Sequence, residues 1–205
     1  MTAMQKFAAS PDLVVLLARD IEKILGRISG AHLRRYAALL ADLAGRDVHL
    51  DRDYQRVFKG FYKMAGREEG WYEYYFGLLQ RNKHNKSITF REVLEEIYAE
   101  RAQVEPSFSS KLVATIRPEM PICDKHVMAN LCLEAPPQHW PAGKRLPGIL
   151  AMYAALEGKV AALVHDPVFA QTLRPAFDRR HPGHMRISDV KKLDLLLWQH
   201  RRMCS

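Results

Sequence analysis

Two ionisable side chains thirteen positions apart carry the clearest chemistry in this sequence. Over residues 105–131, EPSFSSKLVATIRPEMPICDKHVMANL, Lys111 lies in a short helical segment, and Asp124 follows a turn punctuated by Pro118 and Pro121. Asp124 stands where the next helix opens, and the helix dipole there favours the ionised carboxylate. A helix folding back across the turn returns Lys111 towards it. A lysine partly desolvated beside other cations becomes a nucleophilic amine, and a neighbouring carboxylate stabilises developing positive charge. The same residues also fit a plainer arrangement, in which Asp124 only caps its helix and Lys111 lies on the surface.

The elements that must hold these groups read as helices throughout. Ser10-Pro11-Asp12 combines an N-cap, a proline at the first helical position and an acid against the dipole. Leu13, Leu16, Leu17, Ile21, Ile24 and Leu25 follow at helical spacing towards Gly26 or Gly30. Leu33, Tyr36, Leu39, Leu40 and Leu43 form a second stripe ending near Gly45, and Tyr54, Val57, Phe58, Phe61 and Tyr62 a third. Residues 71–80 form a fourth helix rich in aromatics. Thr89-x-x-Glu92 is a capping box opening a fifth, with Val93, Leu94 and Ile97 inward. A sixth covers 107–116, and a seventh runs from Cys123 or Asp124 to Leu131. Pro136, Pro137, Pro141 and Pro147 make 134–148 a connecting loop, and helices over about 148–164, 167–177 and 189–201 complete the chain. No segment alternates as a strand would. The expectation is one compact all-α domain over 1–205, of about nine to ten helices.

Composition narrows the function classes. The 205 residues are 48% hydrophobic and 26% charged, enough apolar content for a sizeable core, which excludes disordered and collagen-like chains. No repeat period of solenoid length is present. Three cysteines, Cys123, Cys132 and Cys204, form no CxxC pair, and none of the nine histidines sits in an H-E-x-x-H pattern. No metal or other cofactor is therefore expected. The longest uncharged apolar run, 146–156, is too short to span a bilayer, and only Lys6 precedes Asp12, so no membrane association and a cytoplasmic location are expected.

The net charge of +8 is unevenly placed: +2 over 1–50, zero over 51–100, +1 over 101–173 and +5 over 174–205. Within the neutral quarter, Arg81, Lys83 and Lys86 surround His84 without an intervening acid, and the nearby Glu92, Glu95, Glu96 and Glu100 fall on the following helix. Separated signs of this kind suit a phosphate-binding face.

Pro121-Ile122-Cys123-Asp124-Lys125-His126-Val127 resembles the aspartate segment of the helix-hairpin-helix DNA glycosylase superfamily, which includes the endonuclease III, adenine-mismatch and 8-oxoguanine glycosylases. The resemblance covers roughly 70–131, flanked by helices over 10–64 and 148–201. It places Asp124 on the catalytic position, and Ser109-Ser110-Lys111 where bifunctional members carry a Schiff-base lysine. Trp71-Tyr72-Glu73-Tyr74-Tyr75-Phe76-Gly77-Leu78-Leu79-Gln80 is similar to the family's first core helix, which ends in a residue that fills the gap left by a flipped base. Gln80 stands there. The sequence departs from the family in lacking the hairpin glycines, whose place is taken by Val104-Glu105-Pro106-Ser107-Phe108-Ser109-Ser110. The interval from Lys111 to Asp124 is also about five residues shorter, and no four-cysteine cluster follows.

The resemblance implies a base-excision enzyme that extrudes a damaged or mismatched base from double-stranded DNA. Asp124 and Lys111 would be catalytic. Gln80, Arg81, Lys83, Lys86, Ser107, Ser109, Ser110, Lys125 and His126 would contact DNA, the serine hydroxyls standing in for bare glycine amides. Trp71, Tyr74 and Tyr75 would stack on the base, although an aromatic stripe at helical spacing also suits a core. A catalytically silent DNA-binding module, or a protein-interaction module of the same fold, is the alternative.

Overall fold

A computed structural model describes residues 11–184 and 186–200; Ser10, Arg201 and Cys204 lie outside them. The described residues contain no strand. Their eleven α-helices are α1 (Pro11–Arg19), α2 (Ile21–Leu25), α3 (Gly30–Gly45), α4 (Arg52–Phe61), α5 (Glu69–Asn82), α6 (Phe90–Arg101), α7 (Pro106–Ile116), α8 (Lys125–Asn130), α9 (Ala142–Val164), α10 (Arg174–Arg180) and α11 (Asp189–His200). The chain is all-α, as its periodicity predicts.

Local chemistry explains where the elements begin and end. The capping box forms as read: Thr89 Oγ1 accepts from Glu92 N at 3.2 Å, and Glu92 Oε2 accepts from Thr89 N at 2.7 Å. The first stripe, read as one helix, is two, because Asp20 leaves helical geometry (φ −98°, ψ 10°) and pairs with Arg19 at 3.0 Å. The expected loop over 134–148 is shorter, because α9 starts at Ala142 and holds Pro147 within it. Near a helix start the proline forfeits one ladder bond, to Gly143, which is exposed. Gly148 faces Pro136 so closely that a Cβ there would lie 2.7 Å from the proline Cγ, so the loop docks on a bare patch of α9. The stretch read as 167–177 divides into a π-helical turn, Phe169–Leu173, and α10.

Two apolar clusters fill the interior. The first collects α1, α2, α9, α10 and α11, with Leu17, Leu25, Leu156, Phe177 and Leu196 at its centre. The second collects α3, α4, α5 and α7, with Phe58, Tyr75, Phe76, Leu79 and Leu112. Helix α6 serves both: Phe90 and Leu94 enter the first, while Val93 and Ile97 enter the second. Helix α9 is the one described helix long and apolar enough to cross a membrane. Its stripe of Ile149, Tyr153, Leu156, Val160 and Leu163 is buried in the first cluster.

The short α8 is held by side-chain bonds rather than by its length. Buried Asn130 donates through Nδ2 to His126 O and to Leu197 O, each at 2.8 Å, joining α8 to α11. Leaving the Leu197 carbonyl unsatisfied inside the protein is costly, so Asn130→Ala should lower unfolding free energy by about 1–3 kcal/mol, read as an earlier urea midpoint with unchanged slope.

Candidate functional site

Helix α7 is buried from Ser109 to Ile116, and the turn after it is clipped back onto the helix. Ser110 Oγ donates to Ser107 O at 3.0 Å and accepts from Cys123 N at 2.9 Å. That bond sets Asp124 beside α7. Asp124 caps α8, its Oδ1 accepting from His126 N at 2.8 Å, and is only partly covered. Lys111 is buried, its amine 5.5 Å from the centre of the Phe108 ring. Burial pushes its pKa below the ordinary lysine value, and the fields of Asp124 and Asp194 oppose that shift. The helix brings the amine within the field of Asp124, with no hydrogen bond or ion pair between the two among the described residues, and the surface placement of Lys111 is overturned.

Asp124 also forms part of the wall of a cavity of about 200 Å³ where the two clusters meet. Phe61, Tyr62 and Ile122 border it from one cluster, and Ile28 and Leu195 from the other. His32, Trp198, Lys191 and Asp194 also line it. Lys191 Nζ bonds Asp194 Oδ2 at 2.6 Å and lies 5.2 Å from the Tyr36 ring centre and 5.4 Å from that of Phe61. Burial raises the Asp194 pKa, the Lys191 ammonium opposes the rise, and the Asp124 charge adds to it. His32 stacks on Phe61 with ring centres 4.4 Å apart. Its pKa falls to about 4 through burial first and then through the charges of Lys191, Lys63 and Arg35, so the ring is neutral at pH 7. On its other side, Asp124 borders an open groove of about 760 Å³, with Ser107, Lys125, Met128 and Cys132.

Asp124 therefore borders both a small aromatic chamber and a wide groove. Comparison with protein-family models, with curated proteins and with solved structures gives no match. Among the described residues no group of three His, Cys, Asp or Glu side chains could hold a metal ion.

Several residues expected at a DNA surface are engaged elsewhere. Gln80 Oε1 accepts from Val48 N at 2.9 Å, which fixes the loop before α4. Lys83 is buried and donates to Arg46 O at the end of α3 at 2.6 Å, while Lys86 donates to Ile116 O at the end of α7 at 2.9 Å. Arg81 pairs with Glu96 at 2.7 Å. None of the three basic residues borders the cavity; helix C-termini, which concentrate partial negative charge, take up the two lysines. Ser109 and Ser110 are buried, Ser109 Oγ donating to Glu105 O at 2.8 Å, so neither hydroxyl is offered to a phosphate. Ser107 and Lys125 do face the groove, and His126 lies edge-on to Trp198, ring centres 5.7 Å apart.

The proposed base-stacking residues form a core. Trp71 and Tyr75 are buried, stacked at 5.3 Å, with Phe108 edge-on to Trp71 at 4.5 Å and the Tyr75 hydroxyl donating to Phe108 O. Tyr74 is half-buried beneath Arg101. The sequence reading missed His32, Phe61, Tyr62, Lys191, Asp194 and Trp198 as a group. One signal was present: Lys191, Asp194, Leu195 and Trp198 recur at i, i+3, i+4 and i+7, so two charges share a helix face with a leucine and a tryptophan.

The neutral His32 gives a signed pH dependence. Its folded pKa is below its ordinary value, so the unfolded chain binds more protons between the two, and stability falls as pH drops from 6.5 towards about 4. His32→Phe keeps the stack on Phe61 and removes the proton. Between neutral pH and about pH 4, the urea midpoint should fall further for the wild type than for the variant, which lacks the titrating ring.

Proposed function

We propose that the chain cleaves the N-glycosidic bond of a base extruded from double-stranded DNA, as the resemblance to the helix-hairpin-helix glycosylases implies. The observation that carries this reading is the position of Asp124, shared by an aromatic chamber and an open groove. In this reading the DNA strand occupies the groove beside Ser107 and Lys125, and the extruded base passes Asp124 into the chamber. His32, Phe61, Tyr62 and Trp198 then take the stacking role first given to Trp71, Tyr74 and Tyr75. Asp124 faces the sugar, where it stabilises the oxocarbenium charge at C1′ or takes a proton from attacking water. Burial shifts the Lys111 pKa in the direction a lyase amine requires, but Lys111 borders neither the chamber nor the groove, so a lyase step would need an opening beside α7.

A silent DNA-binding module is the second reading, favoured by one feature. Two of the three serines in the place of the hairpin glycines, Ser109 and Ser110, turn their hydroxyls inward, to Glu105 O and Ser107 O.

The test exploits the equal quality of Asn and Asp as helix caps. Asp124→Asn should keep the thermal midpoint of the wild type and lose base release from lesion-containing duplexes by about hundredfold or more. Wild-type binding without base release from any duplex selects the silent module. Borohydride trapping on an abasic duplex asks separately about the amine: an adduct in the wild type that disappears in Lys111→Ala places Lys111 on C1′, and one that survives removes it from that role.

A further inference from the structure

The reading above leaves one charged pair in the chamber without a task. Lys191 and Asp194 project from α11 into the same cavity that Asp124 borders, 67 and 70 positions further along the chain. Lys111, in contrast, is not among the groups that border it. The Lys191 side chain is 8% exposed, and its ammonium is fixed from two directions. Asp194 Oδ2 accepts one N–H at 2.6 Å, and the rings of Tyr36, Phe61 and Tyr62 stand 5.2, 5.4 and 6.0 Å away. An ammonium has three donors, and Asp194 is its one protein acceptor among the described residues, so two N–H bonds are left for what fills the chamber. Asp194 is itself partly exposed to the cavity, and its second oxygen has no such partner among the described residues.

We propose that Lys191 is a catalytic residue that protonates the departing base, with Asp194 as the residue that positions it. The inference rests on the glycosylase reading and gives the aromatic chamber a leaving-group acid. In the reaction, the C1′–N bond breaks and its electron pair goes to the base, which takes a proton from Lys191 Nζ and leaves as the neutral heterocycle. Water adds to C1′ and gives its proton to Asp124. The products are the free base and the abasic sugar, with Lys191 one proton poorer and Asp124 one richer, and transfer between the two through solvent restores the site. His32, neutral and stacked on Phe61, lines the chamber without competing as the acid.

General-acid help is needed only when the base leaves as an anion. A base that already carries a positive charge, such as an N-alkylated purine, leaves neutral without a proton. The experiment therefore compares release of uracil and hypoxanthine with release of 7-methylguanine and 3-methyladenine, each from a duplex carrying one such base, by the full chain under single-turnover conditions. Lys191→Gln should slow release of the neutral bases by about hundredfold or more, and release of the cationic ones at least about tenfold less severely. Release of the cationic bases also reports that the variant is folded. Equal losses on both classes, or a wild type that releases only cationic bases, overturn the role of Lys191 and leave the glycosylase reading standing. No release of any base by the wild type overturns that reading itself. Where the wild type releases only neutral bases, 5-fluorouracil is compared with uracil: the variant's loss should be smaller for 5-fluorouracil, the more stable anion, and an equal loss overturns the proposal. Should Lys191→Gln not fold, Asp194→Asn keeps the amine but loosens its anchor; it should show the same preference for the better leaving groups, and its absence overturns the proposal.

Discussion

The seam between the two apolar clusters holds four charged side chains, and their mutual compensation is the constraint on which the site depends. Lys111 sits on a helix buried along most of its length, where an isolated ammonium would be strongly disfavoured. Asp124 and Asp194 oppose that penalty, and Lys191 in turn offsets the burial of Asp194. Removing one partner of such a set leaves the others uncompensated, which for buried pairs typically costs about 3–5 kcal/mol, whereas apolar residues of the same volume would pack there at no loss. A seam built for stability alone would therefore be apolar. Asp194 and His32, both shifted by burial, meet Lys191 and Asp124 at one cavity, and buried charge gathered at a concave site is a physical rationale for function.

The turn that carries Asp124 is rigid because three elements hold it. Ser110 of α7 accepts from the Cys123 amide, the Tyr153 hydroxyl of α9 donates to Pro121 O at 3.0 Å, and Ser188 Oγ, just before α11, donates to Pro118 O at 2.6 Å. The prolines keep the segment out of a helix, so their carbonyls remain available to side chains from elsewhere in the fold. Tyr153 also stacks on Phe90 at 3.7 Å, which ties the turn to α6, the helix common to both clusters. A carboxylate supported in this way is held in one orientation before any ligand arrives.

What could be read from sequence follows the range of the interactions concerned. Helices declare themselves through the spacing of their own apolar residues, and the Thr89 capping box is complete within four positions. Boundaries fail where a tertiary contact decides them, as when Pro136 docks on Gly148 and α9 extends past Pro147 towards its N-terminus. Lys111 and Asp124 are joined by a single turn, so their approach is legible. Lys191 and Asp194 come from the far end of the chain, and on an amphipathic helix they look like two more solvated charges. The aromatic run of α5 is ambiguous for another reason: periodicity shows that Trp71 and Tyr75 share a covered face, but not whether a core or a ligand covers it.

Charge is where a sequence count misleads most. The +5 of residues 174–205 suggests an outward basic face, yet Lys191 and Lys192 are among the most buried polar side chains of the described residues. Lys192 Nζ pairs with Asp178 at 2.8 Å and with Asp189 at 3.6 Å, as Lys191 does with Asp194. Lys83 and Lys86 likewise spend their donors on helix-end carbonyls. A phosphate backbone responds to exposed cations, and beside Asp124 these include Lys63, which borders the aromatic cavity, and Lys125, which borders the groove. These lie on opposite sides of Asp124. Two exposed lysines thus flank Asp124, while the two lysines of α11 turn inward, Lys191 to the cavity and Lys192 to Asp178 and Asp189.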